Sequence, residues 1–458
     1  MQYLTLLIIL SVTLAQYLSN IHLAPSLLRY LPEALSALCC AIVLLAGPRD
    51  RFRLVAPRYW LAFFATAAVI GCGVVANHMA PGPLLEGLRF YLRAMPMFFL
   101  PAVLEVSESQ LRTQLRLVLA IALLQVPLSV YQRYTVYIRF HNSGDEVYGT
   151  LIISSILSIF LIAVICVAAA LALRGRLSRV AFFCIFLLLV IPTTINETKG
   201  TIFLLPLGLL TTLLAGSPPR KRLRVAASGV LLLTVFGAIF VPIYDFFAMV
   251  NNPYPYTLAS LFSDKKRLMT EIDKKTDVGS RGGEAGRVDA IVAPLQEFSS
   301  DPVHLMFGVG IYNASYSNLG ASFTGDYYPL LGRYTIETSG AAFLIETGVL
   351  GLALALVLEW LIFRDAIFVA RHDTSIFGAL ALGWLGITVV MVIATFYKSL
   401  HYFESISYLF WYFAGIIAAQ RTRLELGAQT VGVRARGEAL LRTVQPRLTP
   451  RKTPRLSR

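Results

Sequence analysis

The sequence has 458 residues, of which 56% are hydrophobic and only 14% are charged, against about 25% charged residues in typical soluble domains. This composition excludes a cytosolic enzyme. The formal net charge of +14 would suggest nucleic-acid binding in a soluble chain, but the basic residues lie in short stretches between apolar runs. Because such stretches set the orientation of membrane spans, nucleic acid is not an expected partner.

Apolar runs recur along nearly the whole chain, and with about 20 residues each they can cross a bilayer core of about 30 Å. Continuous runs favour helices over the alternating strands of a barrel. We therefore predict an all-α polytopic membrane bundle of about twelve transmembrane helices. The predicted spans are 3–19, 27–47, 59–78, 84–104, 114–134, 150–173, 180–196, 199–216, 225–245, 341–363, 376–397 and 401–420.

Lys and Arg predict which side of the membrane each loop faces, because loops rich in these residues stay in the cytoplasm. The basic loops follow even-numbered spans, so both termini are predicted to be cytoplasmic. The chain then divides into spans one to nine (1–244), a large exported loop (245–340), spans ten to twelve (341–420) and a basic tail (421–458) that we expect to be disordered. The exported loop is the only predicted soluble unit.

The exported loop contains one predicted amphipathic helix, from Gly286 to Phe298, whose apolar residues recur at helical spacing. Arg287 opens this helix. A cation at a helix N-terminus is opposed by the macrodipole, so its position is either accidental or serves to hold an anion with the helix amides. Asp301-Pro302 ends the helix.

The end of the loop is rich in tyrosine. Such residues are either interfacial anchors or, with the short polar groups around them, a sugar-binding surface. The tyrosines predicted to contact sugar are Tyr312, Tyr316, Tyr327 and Tyr328.

The sequence places several charged residues at the exported ends of the spans. Because ionisable groups at membrane depth are costly, each of them is expected to bind a ligand or an ion-pair partner. Arg89 and Arg93 lie on one helical face. Their guanidinium groups suit the oxygens of a lipid diphosphate. The alternative is a set of structural ion pairs, in which Glu86 binds Arg89, Glu197 binds Lys199, and Glu404 binds Lys398 or His401.

Four short motifs occur in a consistent order. They are Asn196-Glu197-Thr198-Lys199-Gly200, Gly286-Arg287, Phe307-Gly308-Val309-Gly310 and Glu346-Thr347-Gly348-Val349-Leu350-Gly351. In this order they resemble the bacterial O-antigen ligase and O-antigen polymerase superfamily. The resemblance covers roughly Leu84 to Ala370.

This resemblance implies a metal-independent, inverting glycosyltransferase of the bacterial inner membrane, without a cofactor. The enzyme would take a glycan from undecaprenyl diphosphate at the periplasmic face and transfer it to an acceptor glycan. Besides these substrates and membrane lipids, a chain-length regulator or other envelope-assembly proteins are possible partners. The residues expected at the diphosphate are Arg89, Arg93, Arg287 and Lys199, with Arg287 at the position of the family's loop arginine.

The sequence departs from the family at one position. The family has a histidine nine residues before the glutamate of the span-ten motif, where this chain has Glu337. Either Glu337 replaces the histidine as the base that accepts the acceptor's proton, or this position is not catalytic, or the offset differs here. Glu337 could instead pair with Arg333. The departure favours a polymerase of O-antigen or exopolysaccharide over a ligase.

Two other classes of function compete with a glycosyltransferase. The first is a transporter or flippase of a lipid-linked or anionic solute, for which charges at several depths of the bundle would be expected. The second is a scaffold subunit of an envelope complex that uses the loop as a docking surface.

Overall fold

The computed structural model describes residues 2–46, 54–140, 146–251 and 286–444. Within these residues every regular element is a helix, as the continuous apolar runs predict. The helices before the loop are α1 (Gln2–Leu10), α2 (Gln16–Asn20), α3 (Leu31–Ala46), α4 (Pro57–Ala76), α5 (Pro81–Leu92), α6 (Met95–Leu104), α7 (Glu108–Phe140), α8 (Ser154–Leu173), α9 (Arg179–Ile195), α10 (Thr201–Ala215) and α11 (Arg222–Asn251). A π-helical turn, Ser11–Ala15, joins α1 to α2.

The described part of the loop contains three short helices, and three long helices follow it. The short ones are α12 (Asp289–Glu297), α13 (Pro302–Phe307) and α14 (Tyr328–Thr335). The long ones are α15 (Ser339–His372), α16 (Ile376–Thr395) and α17 (Glu404–Val444). Helix α17 continues past Arg421, so the first part of the predicted basic tail is helical up to Val444, and the rest lies outside the described residues.

Eight of the described helical segments are long and apolar enough to cross a membrane. They are Gln2–Asn20, Ser26–Leu45, Pro57–Ala76, Glu108–Thr135, Ser154–Leu173, Pro219–Phe246, Ser339–His372 and Ile376–Thr395. Helices α6, α9 and α10 are apolar but shorter. All twelve predicted spans coincide with helices, while length and composition support eight crossings, so the number twelve stays a prediction.

The fourth predicted span is broken into two helices. Helix α5 ends at Leu92, with Arg93 as its C-cap, and α6 begins at Met95 with Pro96 in its first turn. A proline is well placed at a helix start because it has no N–H to donate. The break places Arg93 between α5 and α6, next to residues 401–402.

The predicted loop helix exists but begins later than expected. Helix α12 starts at Asp289, an acidic residue that suits the positive end of the helix dipole. Arg287 lies just before the N-cap residue Val288, outside the helix itself. Asp301 ends this region and also begins α13, because its carboxylate accepts from the amides of Val303 and His304.

The loop packs against one end of the helix bundle, which we call the loop end. A small apolar cluster lies within the loop and includes one residue of α15, and its members are Phe298, Val309, Ala314, Leu331 and Ile345. A much larger apolar core fills the bundle. At the opposite end, Asp365 of α15 is fully buried and binds Arg58 at 2.7 Å and Arg421 at 2.5 Å.

Candidate functional site

Two of the sequence motifs interlock at the loop end. The amides of Val309 and Gly310 donate to the carbonyls of Ile345 and Glu346, at 2.9 and 3.1 Å. Gly348 has a φ of +68° and interrupts α15 with a kink. The Phe307–Gly310 turn and the Glu346–Gly348 turn are therefore parts of one structure, and they fix the loop to α15.

Glu346 organises the centre of this structure. Its side chain is 1% exposed. One carboxylate oxygen accepts from the Ser315 hydroxyl at 2.6 Å, and the other accepts from the Tyr91 hydroxyl at 2.7 Å and the Tyr312 amide at 2.8 Å. These bonds join the loop to α5 and α15. Glu346 therefore stabilises the packing of the loop against the bundle.

Arg89 and Arg93, two of the predicted diphosphate ligands, are bound to carboxylates. Arg89 donates to Glu33 at 2.7 Å and to Glu86 at 3.0 Å. Arg93 donates to Glu33 at 3.3 Å and to Glu404 at 2.9 Å. Arg93 also donates to the carbonyls of residues 401 and 402, at 3.2 and 2.7 Å.

The charge balance of this cluster does not favour an anion site. Three carboxylates surround two guanidinium groups, and the Arg93 side chain is only 7% exposed. The structural alternative holds for Glu86 and Arg89. For Glu404 the structural alternative named the wrong partner, since its partner is Arg93 rather than Lys398 or His401.

Arg287 and Lys199 belong to a different place at the loop end, which we call the Tyr397 site (Lys199, Gly200, Arg287, Tyr397 and Lys398). The guanidinium carbon of Arg287 lies 4.4 Å from the centre of the Tyr397 ring, within the range of a cation–π contact. A methyl group on Gly200 would come within 2.7 Å of Tyr397 Cζ. The same ring therefore contacts both Arg287 and the turn that carries Lys199.

The turn before Gly200 is held by polar contacts. Asn196 donates from Nδ2 to the Ser154 carbonyl and the Ser158 hydroxyl, both at 2.9 Å. Glu197 has a φ of +55° and accepts from Arg133 at 2.6 Å. The structural alternative predicted from the sequence, Glu197 with Lys199, was wrong about the partner, because Glu197 binds Arg133 of α7.

The segments that meet at the Tyr397 site carry an excess of positive charge. The cations are Arg133, Lys199, Arg287 and Lys398, and the acids are Glu197, Asp289 and Glu337. This small excess suits an anion. Arg89 and Arg93 are thus separated in role from Arg287 and Lys199, although the sequence had grouped all four.

Glu337 lies at the border of this site, between α14 and α15. Two residues later, the Ser339 amide donates to the Lys398 carbonyl at 3.2 Å. Arg333, the alternative partner considered for Glu337, donates to the Tyr334 hydroxyl at 2.7 Å.

His401 is a polar residue of this region that the sequence analysis did not place in the site. Its Nδ1 lies 2.9 Å from the Ser339 hydroxyl, which brings an imidazole two residues from Glu337. The sequence places His401 at a turn, but its approach to residue 339 depends on tertiary packing that no local pattern encodes.

The four predicted sugar-binding tyrosines differ in exposure. Tyr312 is 3% exposed, and its ring stacks on Phe90 at 5.1 Å, so it packs rather than presenting a surface. Tyr316 is 56% exposed, and its ring lies 5.6 Å from that of Tyr328. Tyr327 packs beside the small apolar cluster of the loop. Of the four tyrosines, Tyr316 is exposed and Tyr328 beside it is partly buried, so these two offer the accessible aromatic surface.

Comparison with known proteins finds no family model that matches this chain and no curated protein with significant sequence similarity. The resemblance to the O-antigen ligase and polymerase superfamily therefore depends on the four motifs and their order.

Proposed function

We propose that this chain is a membrane glycosyltransferase that transfers or polymerises a glycan carried by undecaprenyl diphosphate. In this proposal the loop end faces the periplasm of a bacterial inner membrane, and both termini are cytoplasmic. An O-antigen or exopolysaccharide polymerase is preferred to an O-antigen ligase, because Glu337 stands where the family has a histidine.

The observation that carries the proposal is the meeting of Arg287 and the Lys199 turn at Tyr397. The motif order suggested both residues as diphosphate ligands although they are far apart in the sequence. In the structure, Arg287 and Gly200 contact the same ring. Preorganised cations at the place where charge develops on a leaving group are usually the largest contribution to catalysis of this kind.

The proposed reaction needs charge stabilisation more than a strong acid. An acceptor hydroxyl attacks the anomeric carbon, the bond from that carbon to the diphosphate oxygen breaks, and undecaprenyl diphosphate leaves with the bonding electrons. Arg287 and Lys199 neutralise the diphosphate. The hydroxyl proton passes to a base, and a carboxylate can accept it if it is correctly positioned.

Glu337 remains the proposed base in preference to His401. Glu337 stands at the position of the family's histidine, whereas the Nδ1 of His401 is engaged by the Ser339 hydroxyl at 2.9 Å. His401 is therefore assigned to positioning the start of α15 through Ser339. Arg89 and Arg93 are assigned to holding the α5–α6 break.

The test uses full-length protein in nanodiscs, supplied with undecaprenyl diphosphate-linked repeat units. Wild type should lengthen the lipid-linked glycan, whereas Arg287→Ala should lose this activity by at least about a hundredfold, the usual effect of one oxyanion-stabilising donor. Arg333→Ala, which changes another loop arginine, is the matched control and should retain activity. A second arm that offers lipid A core as the acceptor separates a ligase from a polymerase.

A result of equal activity for wild type and Arg287→Ala would remove the Tyr397 site from the reaction. If neither acceptor is glycosylated by folded wild type, the glycosyltransferase proposal is wrong.

A transporter or flippase is the second candidate, and Glu359 is the observation that favours it. Glu359 lies within the apolar part of α15, and its Oε2 is buried without a hydrogen-bond partner among the described residues. Acids inside spans often carry protons or bind substrates. If liposomes containing the protein move a lipid-linked solute across the bilayer, and Glu359→Gln stops that movement, transport is the better assignment.

A further inference from the structure

A long apolar groove runs between α7, α8, α16 and α17, away from the Tyr397 site. Its cavity volume is about 290 Å³, near the lower limit of small-molecule pockets. Most of its wall is aliphatic or aromatic, including Phe160, Trp384 and Phe410. Ser405 lies at the loop end of the groove, and arginines lie at the other end.

Three arginines line the far end of the groove: Arg112, Arg116 and Arg176. Arg112 and Arg116 are one helical turn apart and so share a face of α7. Arg176 follows α8, and its Nη2 donates to the Thr374 carbonyl at 3.3 Å, which directs it toward the start of α16.

The positive charge at this end is largely uncompensated. Within the described parts of the chain, Glu108 is the one carboxylate at ion-pair distance from these arginines, 3.5 Å from Arg112. Both members of that pair are about half exposed, and such surface pairs are weak and easily exchanged for another partner.

A polar group inside the groove also lacks a partner. Trp384 is 5% exposed, and its Nε1 is buried without an acceptor among the described residues. A buried donor without an acceptor is costly and is rare in native proteins. Because this nitrogen is enclosed by protein atoms, a group in the groove does not reach it without a shift of the indole.

We infer that the groove binds one anionic phospholipid from the leaflet at the end opposite the loop. Its phosphate would bind Arg112, Arg116 and Arg176, and an acyl chain would lie along the apolar wall. The polyprenyl donor is a poorer occupant, because its diphosphate belongs at the loop end and the groove has its arginines at the far end. Only the comparison with the polyprenyl donor uses the proposed function, since the arginines and the apolar wall favour a phospholipid without it.

The test measures which lipids stay bound to full-length protein during native mass spectrometry. The protein is extracted from nanodiscs of phosphatidylcholine with a minor fraction of phosphatidylglycerol. Wild type should retain phosphatidylglycerol in preference to phosphatidylcholine. Each Arg→Gln substitution at positions 112, 116 and 176 should weaken retention by about fivefold, the attraction expected for one basic residue near anionic lipid.

The groove variant combines Arg112→Gln, Arg116→Gln and Arg176→Gln. Its matched control removes the same three charges from the same end of the bundle but outside the groove. It combines Arg220→Gln, Arg222→Gln and Arg224→Gln, which lie at the start of α11 and are exposed. The control should retain phosphatidylglycerol as wild type does. Equal losses in the control and in the groove variant would mean that the lipid responds only to general surface charge, and the site would be rejected.

A second variant blocks the groove without changing its charge. Ala163 lines the wall, and Ala163→Phe should fill the space for the acyl chain and reduce retention of phosphatidylglycerol by at least about fivefold. If the groove variant fails to fold, wild type and Ala163→Phe still test whether the groove binds phosphatidylglycerol. Equal retention of the two lipids by wild type, or full retention by Ala163→Phe, would overturn the inference.

Discussion

The Nε2 atom of His304 lies 2.7 Å from Oδ1 of Asn77, and this contact joins the loop to the end of α4. Asn77 donates from Nδ2 to the carbonyls of Gly73 and Gly308, so its oxygen faces the imidazole. The other ring nitrogen lies 2.7 Å from the Asp301 carboxylate. Both ring nitrogens therefore face oxygen atoms, one on the C-cap residue of α4 and one at the start of α13.

We expect His304→Ala to loosen the loop without unfolding the bundle. Losing a charge-assisted contact and a neutral hydrogen bond should make local opening about tenfold more frequent. Hydrogen exchange of the amides in residues 286–338 measures this opening. His372→Ala, at the opposite end of α15, is the control and should leave exchange in the loop unchanged. Unchanged exchange in His304→Ala would show that the loop is held by other contacts.

The contacts of the Asp301 carboxylate with His304 should weaken in acid. The backbone amide of His304, with that of Val303, holds the pKa of the Asp301 carboxyl below its ordinary value of 3.8. A lowered pKa means that the contact stabilises the folded loop at pH values above 3.8 and is lost as the pH falls through the lowered value. Loop exchange, corrected for its intrinsic pH dependence, should therefore rise below about pH 4 in wild type and change less in Asp301→Asn. An equal rise in both proteins would assign the acid effect to another group.

Substitution of Arg93 should lower the stability of the protein, whereas substitution of Arg287 should lower its activity. Arg93→Gln leaves Glu33 and Glu404 without their shared cation and leaves two carbonyls without a donor. Breaking a buried ion pair from one side costs about 3–5 kcal/mol, so the melting temperature in detergent should fall by several degrees. Arg287→Ala removes a cation–π contact worth about 0.5–2 kcal/mol, so its melting temperature should change little while activity is lost. If Arg93→Gln is as stable as wild type but inactive, Arg93 binds the diphosphate and the structural assignment is wrong.

Gly348 should not tolerate a side chain. Its φ of +68° is a conformation that residues with a Cβ rarely adopt, and an added Cβ would come within 2.3 Å of the Met306 carbonyl. We expect Gly348→Ala to destabilise the protein by about 2–4 kcal/mol, through backbone strain and displacement of the loop turn. Gly71→Ala, on an open face of α4, is the control and should be neutral or slightly stabilising. Similar thermal melting of the two variants would contradict the interlock between Gly348 and residues 306–310.

The sequence was sufficient for the all-helical class, because apolar runs of span length leave the backbone few other solutions in a membrane. It also predicted the Glu86–Arg89 pair, whose members are neighbours on one helix. It could not predict that Glu404 binds Arg93, 311 residues away, since no local pattern specifies such a partner. For the same reason the four candidate cations were grouped together, whereas packing separates Arg89 and Arg93 from Arg287 and Lys199.

Asp365 should be essential to the end of the bundle opposite the loop. Its fully buried carboxylate accepts from Arg58, Arg421 and the Tyr59 hydroxyl. Asp365→Asn would leave Arg58 without its counter-charge and Arg421 with Glu425 alone, at a cost of about 3–5 kcal/mol.

Glu108→Gln is the matched control for Asp365→Asn. It also breaks an arginine–carboxylate pair at this end, but one that is half exposed and 3.5 Å long, so its effect should be below about 1 kcal/mol. Thermal melting monitored by size-exclusion chromatography compares the two variants in the same detergent. If the Asp365 cluster contributes no more than a surface ion pair, the melting temperatures of both variants fall equally little. If it joins α4, α15 and α17, Asp365→Asn melts at a much lower temperature than Glu108→Gln.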